Sequence, residues 1–493
     1  MVYVIFKARN EFRNSRKNLL IFFFRLLSII AFILTWSYFI FLCLLHFKTN
    51  NNSLQNLSKQ QQQQQPCRIQ SPQSINIDYN DIYWQRFQSS NGTFFFYNAF
   101  YDDRTLNGEL STIRILSMID RISPIKIYCR IWFSNSSNSI ITLADYHYIW
   151  SQQWGNYEDK ILQPFLINCP FPRQKHLQPY FVSLFEKNCT EITNNLQIIN
   201  NRPLNKNKQS FAVCVKGLEF LHDDLSIRLI EWIELLNILG VKKIFFYEFD
   251  IHPNMSKVLQ YYQNETKLVH VQKLSLPGSQ PNFPLERKKY LQQKIIHRRQ
   301  NEIIPYNDCY YKNIYLYDYI VLLDIDEIII PLQHLNWLDM IYDLEKYFAN
   351  INQSYDALSA RHIYFLDDLD ENNNTIQSNL SIVPSYLHML THIYRSSNYT
   401  KTGSYVKSFF HTERILAVHN HYPLICFSKC QTREMNVTLA HLQHYRKDCV
   451  YLLQKSCQND HRLNRIRDTN IWRFKNSLIQ RTSLLSRKLN FLL

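Results

Sequence analysis

The longest apolar run in the chain is Leu26 to Phe47 (LLSIIAFILTWSYFIFLCLLHF), which meets no acidic or basic residue before His46. About 20 apolar residues reach across the hydrocarbon core of a bilayer, so the run is expected to be a membrane-spanning helix. A cleaved signal peptide would show a shorter apolar region and a small-residue cleavage site, and neither is evident. Lys7, Arg9, Arg13, Arg16, Lys17 and Arg25 precede the run. The positive-inside rule then makes residues 1–25 a cytoplasmic tail and 26–47 a type II signal anchor, with the rest of the chain lumenal. Residues 48–66 are polar, low in complexity and free of periodicity, which predicts a flexible stem.

From 67 to 205 the apolar positions fall in short aromatic stretches such as TFFFYNAFY (93–101) and PIKIYCRIWF (124–133), the pattern of a β-rich accessory region. The pattern changes at about 206. FAVCV (211–215) is the kind of short apolar run a buried parallel strand shows. Leu229, Ile230, Ile233, Leu236 and Leu239 then share one helical face, with Gly240 placed to cap it. KIFFY (243–247) predicts a second strand, Met255 to Tyr262 a second helix and LVHVQK (268–273) a third strand. YIVLL (319–323) is a further strand, and Ala357 to Phe365 one more. Strands alternating with helices predict an α/β fold: an open mixed sheet with helices on both faces, spanning 206–460. Residues 461–493 are left as a basic C-terminal segment.

Composition narrows the chemistry. The chain has seven glycines, no two of which can form a GxG turn, so it carries neither a dinucleotide fingerprint nor a Walker loop. Any bound phosphate must be neutralised by a metal or by basic side chains. The formal charge of +15 comes with no zinc-finger or RNP-like spacing, which speaks against nucleic acid as a partner. Of eleven cysteines, Cys43 lies in the apolar run, leaving an even ten for an oxidising lumen, their pairing open. Many N-x-S/T sequons agree with that address.

The strand 319–323 runs directly into Asp324, Asp326 and Glu327. Ligands in open α/β sheets bind beyond the carboxyl ends of the strands. If the strand continues, Asp324 and Asp326 alternate onto one side, as a pair of hard oxygen ligands for Mn²⁺ or Mg²⁺ shared with a diphosphate. A solvated acidic turn or a helix cap is the plainer alternative.

FAVCVKGLEF (211–220), IEWIELLNILGVKKIFFYEF (230–249), YNDCYYKNIYLYDYIVLLDIDEIIIP (306–331), YVKSFFHTERILAVHNHYP (405–423) and LAHLQHYR (439–446) occur in that order. Together they resemble glycosyltransferase family 92, whose known members are largely galactosyltransferases with a GT-A fold. The resemblance implies an inverting enzyme that uses a UDP-sugar, UDP-galactose first, with Mn²⁺ and a glycan acceptor, and it favours the Golgi. Asp324 and Asp326 match the family's D-x-D. A later histidine is implied as a further metal ligand, with His419 and His421 the first candidates and His444 the third. The chain departs from the family in having Lys216-Gly217-Leu218 where a Pro-containing turn is common. It also has Phe365-Leu366-Asp367-Asp368 where an aromatic-Gly pair is common.

An inverting transfer needs a base for the acceptor hydroxyl and charge stabilisation for the departing nucleotide. Asp367, or its neighbour Asp368, follows a predicted strand after the metal motif and is the expected base, with Glu413 the rival. Asp308 is a candidate for the donor sugar or a helix cap, and Lys407 for a phosphate or a plain surface lysine. Three other readings stand beside this one. His419, His421, Cys426 and Cys430 have nearly usable zinc spacing, although two cysteines in a lumen more often pair. A membrane-tethered glycan-binding protein that lost turnover is the second, and a nucleotidyltransferase the third.

Overall fold

A computed structural model describes residues 71–104, 110–134, 138–173, 178–203, 207–367, 383–448, 461–462 and 464–492. The tail 1–25, the apolar run 26–47, the stem 48–66 and Asp368 lie outside the described residues. Among the described residues no helix is long and apolar enough to cross a membrane.

The region before 205 is β-rich, as its aromatic runs predict. Nine strands form one sheet whose central members are Gly92–Asp102, Leu110–Ile119 and Gln163–Pro172. Tyr128–Phe133 and Gln163–Pro172 are not neighbours in that sheet, yet Cys129 and Cys169 join them by a disulfide. The sheet therefore curls over on itself, around Phe94, Phe96, Ile115, Ile131, Phe165 and Val182.

The rest is a mixed α/β fold. Its main sheet holds β1 (Gln209–Phe220), β2 (Lys243–Ile251), β3 (Val269–Lys273), β4 (Tyr317–Leu322), β6 (Ala357–Ala360), β8 (Lys407–His411) and β11 (Thr432–Glu434), in the order β3-β2-β1-β4-β8-β6-β11. β5 (Glu327–Pro331), β7 (His362–Leu366) and β12 (Ala440–Arg446) form a separate three-stranded sheet, and β9 (Ile415–Val418) pairs with β10 (Pro423–Cys426). Strands β1 to β4 are parallel, while β8 is antiparallel to β4. Alternate residues of β1 go to opposite sides, as a strand requires. Phe211, Val213 and Val215 pack with α1 (Ser226–Ile238), α2 (Pro253–Tyr261) and α5 (Trp337–Asn350). Ala212 and Cys214 pack with α4 (Ile295–Asn313), which follows α3 (Pro284–Gln293). Both faces are covered, which is why these strands read as unbroken apolar runs rather than alternating ones.

Gly240 caps α1 as expected. Its φ is +98°, its N–H donates to the Asn237 carbonyl at 3.1 Å, and the Val241 N–H donates to Leu236 at 3.0 Å. That is a Schellman ending, and a Cβ would strain it. The segment expected to be one strand, 357–365, is two. The chain leaves the main sheet after Ala360 and enters the smaller one at His362. The segment from 461 contains α7 (Lys475–Lys488), whose Leu478 and Leu485 belong to the same core as α1.

The β-rich region shares a core with the α/β half. Trp84, Tyr97 and Phe100 pack with Tyr306, Tyr310 and Tyr311 of α4. Arg104, buried, donates to the Ile415 carbonyl at 3.0 Å and pairs with Asp102 at 2.9 Å.

Candidate metal and nucleotide site

β4 stops at Leu322, and the chain turns instead of continuing as a strand: the Glu327 N–H donates to the Asp324 carbonyl at 3.1 Å. The Glu327 carboxylate closes the turn by accepting from the Asp324 N–H at 3.1 Å. This corrects the expected alternation of Asp324 and Asp326. A turn does not repeat every two residues, so the two carboxylates meet different partners. Asp324 lies 3.2 Å from the Lys216 ammonium and 3.6 Å from that of Lys407. Asp326 lies 3.3 Å from Nε2 of His444.

The smaller sheet builds the rest. Glu327 opens β5 and stands directly opposite His444 on β12. Tyr364 on β7 is also opposite His444, so His362, two residues earlier, lies diagonally on the same face. The outcome is His362 Nε2 3.3 Å and His444 Nδ1 3.5 Å from Oε1 of Glu327. One ligand atom from each of Glu327, His362 and His444 fits within 4.8 Å of the others, and all three residues are buried. Nε2 of His362 and Nδ1 of His444 face the Glu327 carboxylate without forming a hydrogen bond. Buried polar atoms are normally paired, so two imidazole nitrogens and a carboxylate oxygen held this way fit a cation between them.

Lys407 is fully buried beneath this cluster, 2.9 Å from Oε2 of Glu327, and donates to Asn420. Burial alone would raise the Glu327 carboxyl, but Lys407, His444 and His362 outweigh it and hold it well below the usual range. Asp324 is likewise lowered, with Lys216 and Lys407 outweighing its burial. Burial pushes the His362 imidazole down to about 4, against the pull of Glu327, so the ring is neutral and able to ligate.

The cluster opens onto a cleft of about 890 Å³ between the ends of β1 and β2, α3, the start of α4 and residues 444–448. Lys216, Lys288, Arg298, Arg446, Lys447 and Arg462 give it a basic lining. Gly217 forms part of its floor, where a Cβ would come 2.7 Å from the Phe249 ring and 3.0 Å from Leu274. The residues that depart from the family's Pro-containing turn therefore line the cleft.

Several expected site residues are elsewhere. His419 packs against Trp154 and Tyr422, with ring centroids 4.7 and 5.0 Å away, and His421 Nδ1 lies 2.7 Å from the Val406 carbonyl oxygen. His444, the third candidate, is the one at the carboxylates. Cys426 and Cys430 form a disulfide, which removes the zinc quartet. Glu413 lies past the far end of β8 and pairs with Lys208. Because β8 runs antiparallel to β4, that is the opposite edge of the sheet, roughly 20 Å of extended chain from Lys407. Asp308 is neither exposed nor a cap. It sits inside α4, accepting from Asn98 at 2.6 Å, from Lys312 at 2.6 Å and from Tyr247, and so ties the β-rich region to α4. Lys407 is no surface lysine, and its charge already faces two carboxylates. Asp367 directly follows β7 and lies 3.0 Å from Nε2 of His392. His362 was missed because a single histidine inside an apolar strand (HIYFL) looks like core.

A carboxylate–histidine cluster beyond the ends of parallel strands, beside a cleft with basic side chains, stands where open α/β sheets bind their ligands. The sequence model of glycosyltransferase family 92 matches residues 209–482, more than half of the chain, and the chain belongs to that family. No curated protein matches the chain in sequence. Among solved structures, TarS residues 1–349 from S. aureus is 13% identical over 41% of this chain and 47% of that one, with a TM-score of 0.20. The galactosyltransferase LgtC, solved with donor and acceptor sugar analogues, is 9% identical over 41% of this chain and 58% of that one, with a TM-score of 0.18. The chain thus spans about half the length of each.

Proposed function

We propose that this chain is an inverting, metal-dependent hexosyltransferase that moves a sugar, with galactose from UDP-galactose first in line, to a glycan hydroxyl. The observation that carries the reading is the buried Glu327–His362–His444 group, with its ring nitrogens facing the carboxylate, beside Asp326 at the mouth of the cleft. The two imidazoles and two carboxylates suit Mn²⁺ among the oxygen-preferring cations. When bound there, the cation would supply positive charge to the leaving diphosphate.

The chain's own residues do the remainder. Lys216 is held charged because Asp324 and Glu302 outweigh its burial, so it presents a fixed cation to a phosphate in the cleft. Arg298, Arg446 and Arg462 add the charge that a glycine-rich loop would otherwise offer as backbone N–H groups. Lys407 stays below the site. By matching Glu327 and Asp324, it keeps three clustered carboxylates from repelling one another. We also place the enzyme in the secretory lumen, anchored by residues 26–47, because that run is long enough to span and the basic flank precedes it.

The test is nucleotide release by the full-length chain, purified in detergent, from a panel of UDP-sugars with Mn²⁺ or with EDTA. Turnover that EDTA and Asp326→Ala each abolish supports the proposal and identifies the donor. Turnover unaffected by EDTA refutes the metal role. Folded protein that turns over no donor leaves a glycan-binding protein as the better account.

A further inference from the structure

A second group of metal-ligating side chains lies outside the cluster that meets the diphosphate. α6 (His388–Thr391) is a single helical turn, and His392 ends it. Residues four apart on a turn of helix share a face, the spacing by which paired histidines hold zinc. The rings of His388 and His392 are 4.2 Å apart and 31° from parallel. Asp367 reaches them from the end of β7, and one ligand atom from each of Asp367, His388 and His392 fits within 4.8 Å of the others. All three are half-buried.

His392 Nδ1 lies 2.6 Å from the His388 carbonyl oxygen, which only accepts, so this nitrogen carries a hydrogen. Its Nε2 faces Oδ1 of Asp367 at 3.0 Å, and Nδ1 of His388 lies 3.2 Å from Nδ1 of His392. Two ligand atoms about 2.0–2.2 Å from one zinc ion stand roughly 3 Å apart, so the Asp367–His392 spacing accommodates a zinc ion as well as it does a proton.

We propose that Asp367, His388 and His392 bind a zinc ion distinct from the cation at Glu327, His362 and His444. Its place suggests its task. Tyr445 stacks on Phe365 and lines the cleft, and its ring stands edge-on to both histidines at 6.0 and 5.9 Å. The zinc would fasten the end of β7 to α6 one aromatic ring behind the cleft wall. Asp367 would then be a ligand that positions this wall, and not the base that takes the acceptor proton.

The experiment measures bound metal, so it stands or fails separately from sugar transfer. The full-length chain is stripped with EDTA, dialysed against Zn²⁺ and then against metal-free buffer, and assayed for zinc. Co²⁺ replaces zinc in a parallel sample, as a visible-absorption probe of a tetrahedral site. We expect His388→Gln and His392→Gln each to lose one zinc relative to the wild type, with affinity down tenfold or more, while His444→Gln keeps it. Wild-type protein that holds no zinc, or a His392→Gln variant that holds as much as wild type, overturns the proposal. If the histidine variants do not fold, Asp367→Asn decides at the exposed side of the site. Zinc loss supports the proposal, whereas lost sugar transfer with zinc retained overturns it and returns Asp367 to the role of base.

Discussion

Lys407 has no exposed surface, yet it faces Glu327 at 2.9 Å and Asp324 at 3.6 Å. Removing one partner of a buried ion pair leaves the other desolvated and unmatched, at a cost of about 3–5 kcal/mol. Lys407→Met should therefore lower the unfolding free energy by about that much, measured by urea denaturation. A change under about 1 kcal/mol would mean that the carboxylates reach water without it. His362 makes the opposite kind of prediction. Its Nε2 faces the Glu327 carboxylate at 3.3 Å, short of a hydrogen bond, so His362→Gln should cost little stability while raising the Mn²⁺ needed for half-maximal turnover on the order of 10- to 100-fold. At this scale the sequence was half legible. The D-I-D-E run announced itself because acids are rare after an apolar strand. Neither the turn that separates Asp324 from Asp326 nor the diagonal pairing that selects His362 and His444 has a local signature.

The elements explain why. Strands β1 to β4 and helices α1 and α2 were readable because each buries a continuous apolar surface and ends on a local signal, such as Gly240. The sheet β5-β12-β7 was not readable, because its strands come from residues 327–331, 440–446 and 362–366 and meet only in three dimensions. Its register brings Glu327, His362 and His444 together. At the other face, the disulfide Cys214–Cys309 fastens β1 to α4, the two elements that flank the cleft floor, across 95 residues. By the chain-entropy estimate, closing a loop of that length contributes about 4–5 kcal/mol. The double variant Cys214→Ala/Cys309→Ala should lose about that much stability, and thermal unfolding of oxidised and double-variant protein would measure it. Gly217→Ala belongs to the same element. Its Cβ would press on the Phe249 ring, so donor KM should rise severalfold with little change in melting temperature.

Over the whole molecule, buried histidines set a direction for the pH dependence. Burial lowers His411 and His441 to about 4 and His421 to about 3, against about 6.5 in an unfolded chain. Between those values the unfolded chain binds more protons, so stability rises with pH across that window. The contribution is fully present above about 6.5 and is lost as pH falls towards 4. Glu231 acts the other way. Burial raises it to about 7, so it favours the folded state less as pH climbs from 4.5, but it is one group against three. The melting temperature should fall between pH 7 and pH 5, and a scan that rises over that interval would contradict the sign. The basic balance of +15 likewise acts at this scale. Part of it lines the cleft, where the proposed nucleotide would find its counter-charge without any glycine loop.

On the proposed function, a divalent cation at Asp326, Glu327, His362 and His444 holds a nucleotide diphosphate in the cleft. The most direct measurement is UDP binding by calorimetry to the EDTA-treated full-length chain, with and without Mn²⁺, in the wild type and in His444→Gln. Mn²⁺ should tighten UDP binding at least tenfold in the wild type and leave it unchanged in the variant. UDP binding that is equally strong with and without Mn²⁺ in the wild type would contradict the account.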